Sequence, residues 1–188
     1  TMRYNADLYY NKQNVYDINI VSSQGFIDQN IDEIKDTDGV ETVMETKTTD
    51  CLTSVNNKEM AIRFHSYDFS NETLNKLELV SGRWPKDNTE VGLDASKNTI
   101  NNINLGYKLK LFKTTSNIDS TFVNKELTVV GTFYSPVYFS KSYIHPTNIG
   151  SKNLNQFAYV LTDEFVSDYP YSDIYIKLIS PQNLFLFF

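Results

Sequence analysis

The chain has little of what most catalytic and membrane-spanning proteins show. It holds one cysteine, Cys51, so no internal disulfide can form, and a thiol without a basic neighbour in sequence reads as a small core residue. It has two histidines, His65 and His145, 80 residues apart and each without a second His, Cys or acid at ligand spacing, which argues against a metal site. No apolar run approaches the roughly 20 residues that cross a bilayer as a helix. The terminal "NLFLFF" (Asn183–Phe188) is apolar but far shorter, and reads as the clipped edge of something longer or as an artefact of the boundary. No dense Lys/Arg cluster exists, and the net charge is −6 with a pI near 4.9, which excludes an ordinary nucleic-acid surface. Neither G-x-G-x-x-G nor G-x-x-x-x-G-K-[ST] occurs, so no phosphate cradle is expected. No G-x-S-x-G elbow supports a Ser-His-Asp set. "DTDGVE" is only a fragment of a calcium loop, and the "NET" at Asn71 is a three-residue sequon. Catalytic, cofactor and metal residues are accordingly expected to be none.

What is present suits a folded domain, or two small lobes. Hydrophobic residues make up 40% and aromatics 14% of 188 residues, enough for a core, while 13 Tyr and 12 Phe against 7 Gly favour strands. Residues 1–13 can form a short helix with Leu8 and Tyr9 or Tyr10 on one side. "VYDINIVSS" (15–23) alternates with period two and predicts a strand. Phe26 or Ile27, Ile31 and Ile34 fall at helical spacing, with Gly39 as the stop. The acids Asp28, Asp32, Glu33, Asp36 and Asp38 read as the solvated side of that helix. Residues 40–55 read as one long or bent strand, and 56–68 as its hairpin partner after an Asn-Asn turn. Further on, "TEVGLDA" predicts a short strand. "DASKNTINNINLG" predicts a helix with Ile100 and Ile103 inward and Gly106 as terminator. "YKLKLFK" and "KELTVVGTFY" predict an antiparallel pair, and "FAYVLTDEF" and "DIYIKLIS" two last strands.

The order predicts an α+β fold: a mixed-sheet lobe containing a strand–helix–strand unit, with an inserted smaller β-rich lobe. The expected division is 1–67 with 136–188 for the first lobe and 68–135 for the insert. Residues 15–55 are expected to share a sheet with strands near 157–161 and 173–178. The one surface candidate is "FYSPVYFSKSY", with five aromatics in eleven residues. Phe133, Tyr134, Tyr138, Phe139 and Tyr143 are the candidate partner contacts, because Tyr and Phe supply large rigid area at interfaces; the alternative is that alternate rings cap the core.

The run "SGRWPKDNTEVGLDA", then "INLGYKLKLF", then "KELTVVGTFYSP" resembles the extracytoplasmic core domain of MacB-type and FtsX-like ABC transporter permeases. The resemblance rests on Gly82-Arg83, Glu90-Val91, Leu105-Gly106 and Val129-Val130-Gly131 in that order, and on the N-terminal "YYNKQNVYDINIVSSQGF" and "IDEIKDTDGVETV". Tyr107 departs from it, since an acid often follows Leu-Gly in that family. The resemblance implies a non-catalytic domain on the outer face of a cell membrane, without cofactors. It implies a cytoplasmic ATPase subunit as partner through a membrane region absent here, and relay of ATPase-driven helix motion to an external substrate or protein. A cell-surface hydrolase and a free-standing peptide- or sugar-binding module are the competing readings.

Overall fold

The computed structural model describes residues 11–70, 74–138 and 145–179. Ten strands and two helices are found there. They are β1 (Ile18–Phe26), α1 (Asp28–Lys35), β2 (Val40–Thr46), β3 (Thr48–Val55), β4 (Lys58–Ser66), β5 (Glu78–Gly82), β6 (Glu90–Asp94), α2 (Ala95–Asn101), β7 (Lys108–Thr114), β8 (Glu126–Tyr134), β9 (Gln156–Val160) and β10 (Tyr171–Leu178). The class is α+β, as expected.

The strands form two sheets. The smaller, in the order β1-β10-β2, is antiparallel throughout. β1 and β2 therefore run the same way with β10 between them, and α1 crosses from one to the other as a split strand–helix–strand unit. Ile31 of α1 packs on Ile174 and Ile176 of β10. The larger sheet runs β5-β8-β6-β9-β4-β3-β7, and β7 pairs back onto β8. β8, β6, β9, β4, β3 and β7 thus close a barrel, and β5 adds to the half of β8 that β7 leaves free. Period-two alternation fills the barrel: Cys51, Ile62, Val91, Leu109, Leu127 and Val129 are fully buried in one cluster. The β3–β4 hairpin turns on Asn56 and Asn57, both with positive φ (51° and 62°), as an Asn-Asn two-residue loop requires.

Three expectations meet a different arrangement. The long strand over 40–55 is two strands in two sheets, divided at Lys47. Its backbone N–H and C=O bond to Ser66, and its Nζ is carried under the carbonyls of Val166 and Ser167 at 3.1 and 3.4 Å. A run of Thr and Val has β propensity along its whole length, so the change of sheet is invisible in it. The late strands divide too: β10 joins β1 and β2, whereas β9 pairs with β4 and β6. The larger sheet joins β3, β4 and β9 to the middle strands. Finally, Ile103 is buried but Ile100 is 72% exposed. α2 stops at Asn101 and Asn102 turns into the left-handed region (φ 51°), so Ile103 reaches the barrel from beyond the helix and Gly106 is not the terminator. The helix expected over 1–13 lies almost wholly outside the described residues.

Candidate functional site

The aromatic run leaves the barrel at the end of β8. Phe133 is fully buried. Its ring stacks on Trp84 at 4.6 Å and meets Phe69 at 5.9 Å, over the backbone of Gly92 and Gly131. Tyr134, the next residue, points the other way and is 40% exposed, opposite Glu78 on β5. Tyr138 is half-buried and lies flat on Phe157, ring centroids 3.6 Å apart. Phe139 and Tyr143 lie outside the described residues.

Tyr138 covers a polar cluster on the outer side of β3 and β4. The antiparallel register places Asp50 opposite Arg63 and Thr48 opposite His65. Arg63 donates from Nε and Nη2 to the two carboxylate oxygens of Asp50 at 2.6 and 2.9 Å, a bidentate pair. His65 shares hydrogen bonds with Thr48 Oγ1 at 3.1 Å and Tyr138 OH at 2.7 Å, and stacks on Tyr159. Burial, helped by the nearby Arg63 charge, lowers its pKa to about 3. Burial raises the pKa of the Tyr138 phenol far above any working pH. A neutral imidazole that does not titrate near neutrality, between a threonine and a protonated phenol, makes a poor general base. The cluster is a structural network in which each imidazole nitrogen has a partner. His145 meets Tyr138 and Phe157 edge-on, and burial lowers its pKa. Burial lifts the Cys51 thiol to about 12 and keeps it from acting as a nucleophile. Among the described residues no three His, Cys, Asp or Glu side chains gather as metal ligands.

Between the two sheets runs a groove of about 270 Å³, walled by Lys35, Glu45, Thr46, Tyr67, Asp68 and Thr162 among others. Lys35 and Glu45 form a loose pair across it at 3.6 Å. Met44, Thr46, Ser66 and Tyr67 continue into a void of about 20 Å³ under Tyr138 and Tyr159, about the space of one water. Asn75 Nδ2 lines that region, buried and without a hydrogen-bond partner among the described residues, and Tyr159 OH lies there beside Ser135. The groove exists because the chain changes sheet at Lys47, so the sequence pattern that hid the change also hid the groove.

No family model matches the chain, and no curated protein does. Solved structures match the fold. The extracellular domain of the noncanonic ABC-type transporter YknZ from Gram-positive bacteria is similar with a TM-score of 0.52 at 13% identity, over 90% of this chain and 84% of that one. The periplasmic region of MacB from Actinobacillus actinomycetemcomitans is similar with a TM-score of 0.47 at 14% identity, over 83% of this chain and 67% of that one. The chain has the fold of the YknZ extracellular domain.

Proposed function

We propose that this chain is a non-catalytic extracytoplasmic domain of an FtsX-like or MacB-type ABC transporter permease. It couples motion of membrane helices, driven by a cytoplasmic ATPase subunit, to an external substrate or protein. The observation that carries the reading is the fold shared with the YknZ extracellular domain over 90% of the chain. The placement of the start of β1 beside the finish of β10 supports it. β1 starts and β10 finishes side by side, with Ile18 opposite Ile176. Lys177 Nζ donates to Val15 O at 2.7 Å, and Leu178 N to Asp17 at 2.9 Å. A domain inserted between two membrane helices needs both ends on one side, and a tie between them resists independent movement. The aromatic contact surface enters the same proposal through Tyr134, beside the exposed Leu79 and Val80 of edge strand β5.

The test uses the full-length permease with three glycines inserted between Tyr10 and Asn11. This keeps the hydrogen bonds from Asn75 N to Asn14 O and from Lys76 N to Gln13 O, which anchor the entering segment. A flexible insert absorbs a tilt that a stiff junction transmits. Transport-linked activity is expected to fall while surface expression and ATP hydrolysis persist. Unchanged activity would sink the coupling role.

A further inference from the structure

The β7–β8 and β9–β10 connections meet at one end of the barrel. Phe122 and Phe165 form an antiparallel bridge there, Val166 N donates to Thr121 O at 3.1 Å, and Val123 N donates to Glu164 O at 2.8 Å. The side chain of Glu164 is fully buried at this junction. Its Oε1 accepts from Asn124 N at 3.1 Å and its Oε2 from Asn124 Nδ2 at 2.7 Å. The same Nδ2 donates to Asn88 O at 3.0 Å, which draws in the β5–β6 connection. Three connections are thus held through one carboxyl group.

That carboxyl group has no counter-charge among the described residues. Lys125, beside Asn124, is paired with Asp119. On the β5–β6 connection Asp87 takes its hydrogen bonds from Thr89, and Lys86 donates its backbone N–H to Glu90. Among the described residues Asp163, on the same turn as Glu164, is the charged group that acts on it, and it is of like sign. A buried carboxylate in this setting takes up a proton rather than remain an unpaired charge.

We propose that Glu164 is a proton-operated staple: protonated, it holds the β7–β8 connection against the β9–β10 connection, and ionised, it releases its proton to solvent and lets the β7–β8 connection open. The energetics follow from linkage. Burial, with Asp163 adding to it and the Asn124 hydrogen bonds opposing, raises the pKa to about 7. In an opened connection the group returns to about 4.5. Opening is then favoured tenfold for each pH unit between those two values, and levels off above the upper one. The ceiling is about 300-fold. At least about tenfold is expected between pH 5 and pH 7.5, since an opening connection keeps some of its contacts.

The experiment uses the 188-residue chain labelled with ¹³C, its Glu164 carboxyl resonance assigned through the backbone so that no variant is needed. A titration midpoint near pH 7 is expected, and one near 4.5 would overturn the proposal. Amide exchange at Val123 and Asn124, corrected for intrinsic rates, should show opening at least tenfold more frequent at pH 7.5 than at pH 5, while amides of Cys51 and Ile62 in the barrel do not change. A Glu164 that titrates near 7 while the two amides stay equally protected would also overturn it. Glu164→Gln should abolish the pH dependence at these amides, whatever their baseline protection; a variant that keeps it refutes the assignment to this residue.

Discussion

Gly92 sits under the edge of the Phe133 ring. A Cβ built on it would overlap Phe133 Cε2 outright and lie 2.6 and 2.7 Å from Cζ and Cδ2. No left-handed backbone conformation is involved at this position, so the requirement for glycine is one of space alone. The obstructing atoms cannot swing aside cheaply. The ring is fully buried, stacked on Trp84 and closed in by Phe69. Gly92→Ala must therefore either drive Phe133 off its rotamer, at about 0.5–1.5 kcal/mol, and loosen the Trp84 stack, at about 0.5–1.5 kcal/mol, or separate β6 from its neighbours. Overpacking of this kind costs about 1–3 kcal/mol. The smaller conformational entropy of the unfolded alanine chain returns about 0.4–1 kcal/mol. We expect a net loss of about 1.3 kcal/mol, seen in urea titration as a lower midpoint with an unchanged slope. Phe133→Leu alone should also destabilise by leaving a void. Combined, the two changes should cost at least about 1 kcal/mol less than their sum, because the smaller side chain makes room for the methyl group. A Gly92→Ala chain within about 0.5 kcal/mol of the parent, or strict additivity in the pair, would refute the idea that Phe133 dictates glycine here.

Arg63→Met should cost about 2–3 kcal/mol, because it strands the carboxylate of Asp50 in a largely buried place; adding Asp50→Asn should recover part of the loss in the same denaturation assay. Ile103→Ala should lose about 2–4 kcal/mol while Ile100→Ala stays within about 0.5 kcal/mol, reversing the equivalence that helical spacing suggested. Cys51 should resist an aromatic disulfide reagent in the native chain and react fully in denaturant, since it is completely buried and its pKa is about 12; fast native labelling would show that β3 and β7 open locally.

Where one face of a strand is buried, alternation announced it: Leu109 and Leu111 against Lys108 and Lys110 in β7. Ile31 marked the buried stripe of α1 as plainly. The motif residues of "TEVGLDA" and "VVGTFY" reflect packing, since Gly92 and Gly131 both lie against Phe133, and Gly131 also approaches Arg83 O. The "GR" turn followed by "EV" has a similar basis, because Arg83 pairs with Glu90 across the β5–β6 connection. What periodicity could not carry was sheet membership. Thr46, Lys47 and Thr48 continue the same propensity through a change of partner, and pairing between strands distant in sequence, such as β4 with β9, is settled by tertiary packing. Which rings of the aromatic run face outward was not legible from its composition. Alternation along β8 sends Phe133 inward and Tyr134 outward, and Tyr138 is claimed by Phe157 and His65. His65 itself looked isolated in sequence, and only the β3–β4 register and the return of the chain after β8 give it partners. Glu164 gave no signal at all, since an acid in "LTDEF" reads as solvated.

His65 and Glu164 act on global stability with opposite sign. The folded chain keeps His65 neutral down to about pH 3, whereas the unfolded imidazole takes up a proton below about 6.5. The unfolded state binds more protons in that window, so the stability tied to His65 is lost as pH falls through it. Glu164 does the reverse. Folded, it holds its proton up to about pH 7, while unfolded it lets go near 4.5, so stability is lost as pH rises between those values. The two windows overlap between pH 4.5 and 6.5. Each group there contributes a slope of about 1.36 kcal/mol per pH unit, and the slopes cancel. Removing either group should expose the other. In Glu164→Gln the difference in stability from the parent should drift in favour of the variant as pH rises across the overlap, by up to about 2.7 kcal/mol. In His65→Gln it should drift in favour of the variant as pH falls, by a similar amount. Because each variant is compared with the parent at the same pH, His145, Asp94 and the other shifted groups drop out of the difference. Urea titrations at half-unit intervals supply the test. Two differences that stay flat with pH would mean that both side chains reach water in the folded chain, and with that the neutral His65 network and the Glu164 staple would fail together.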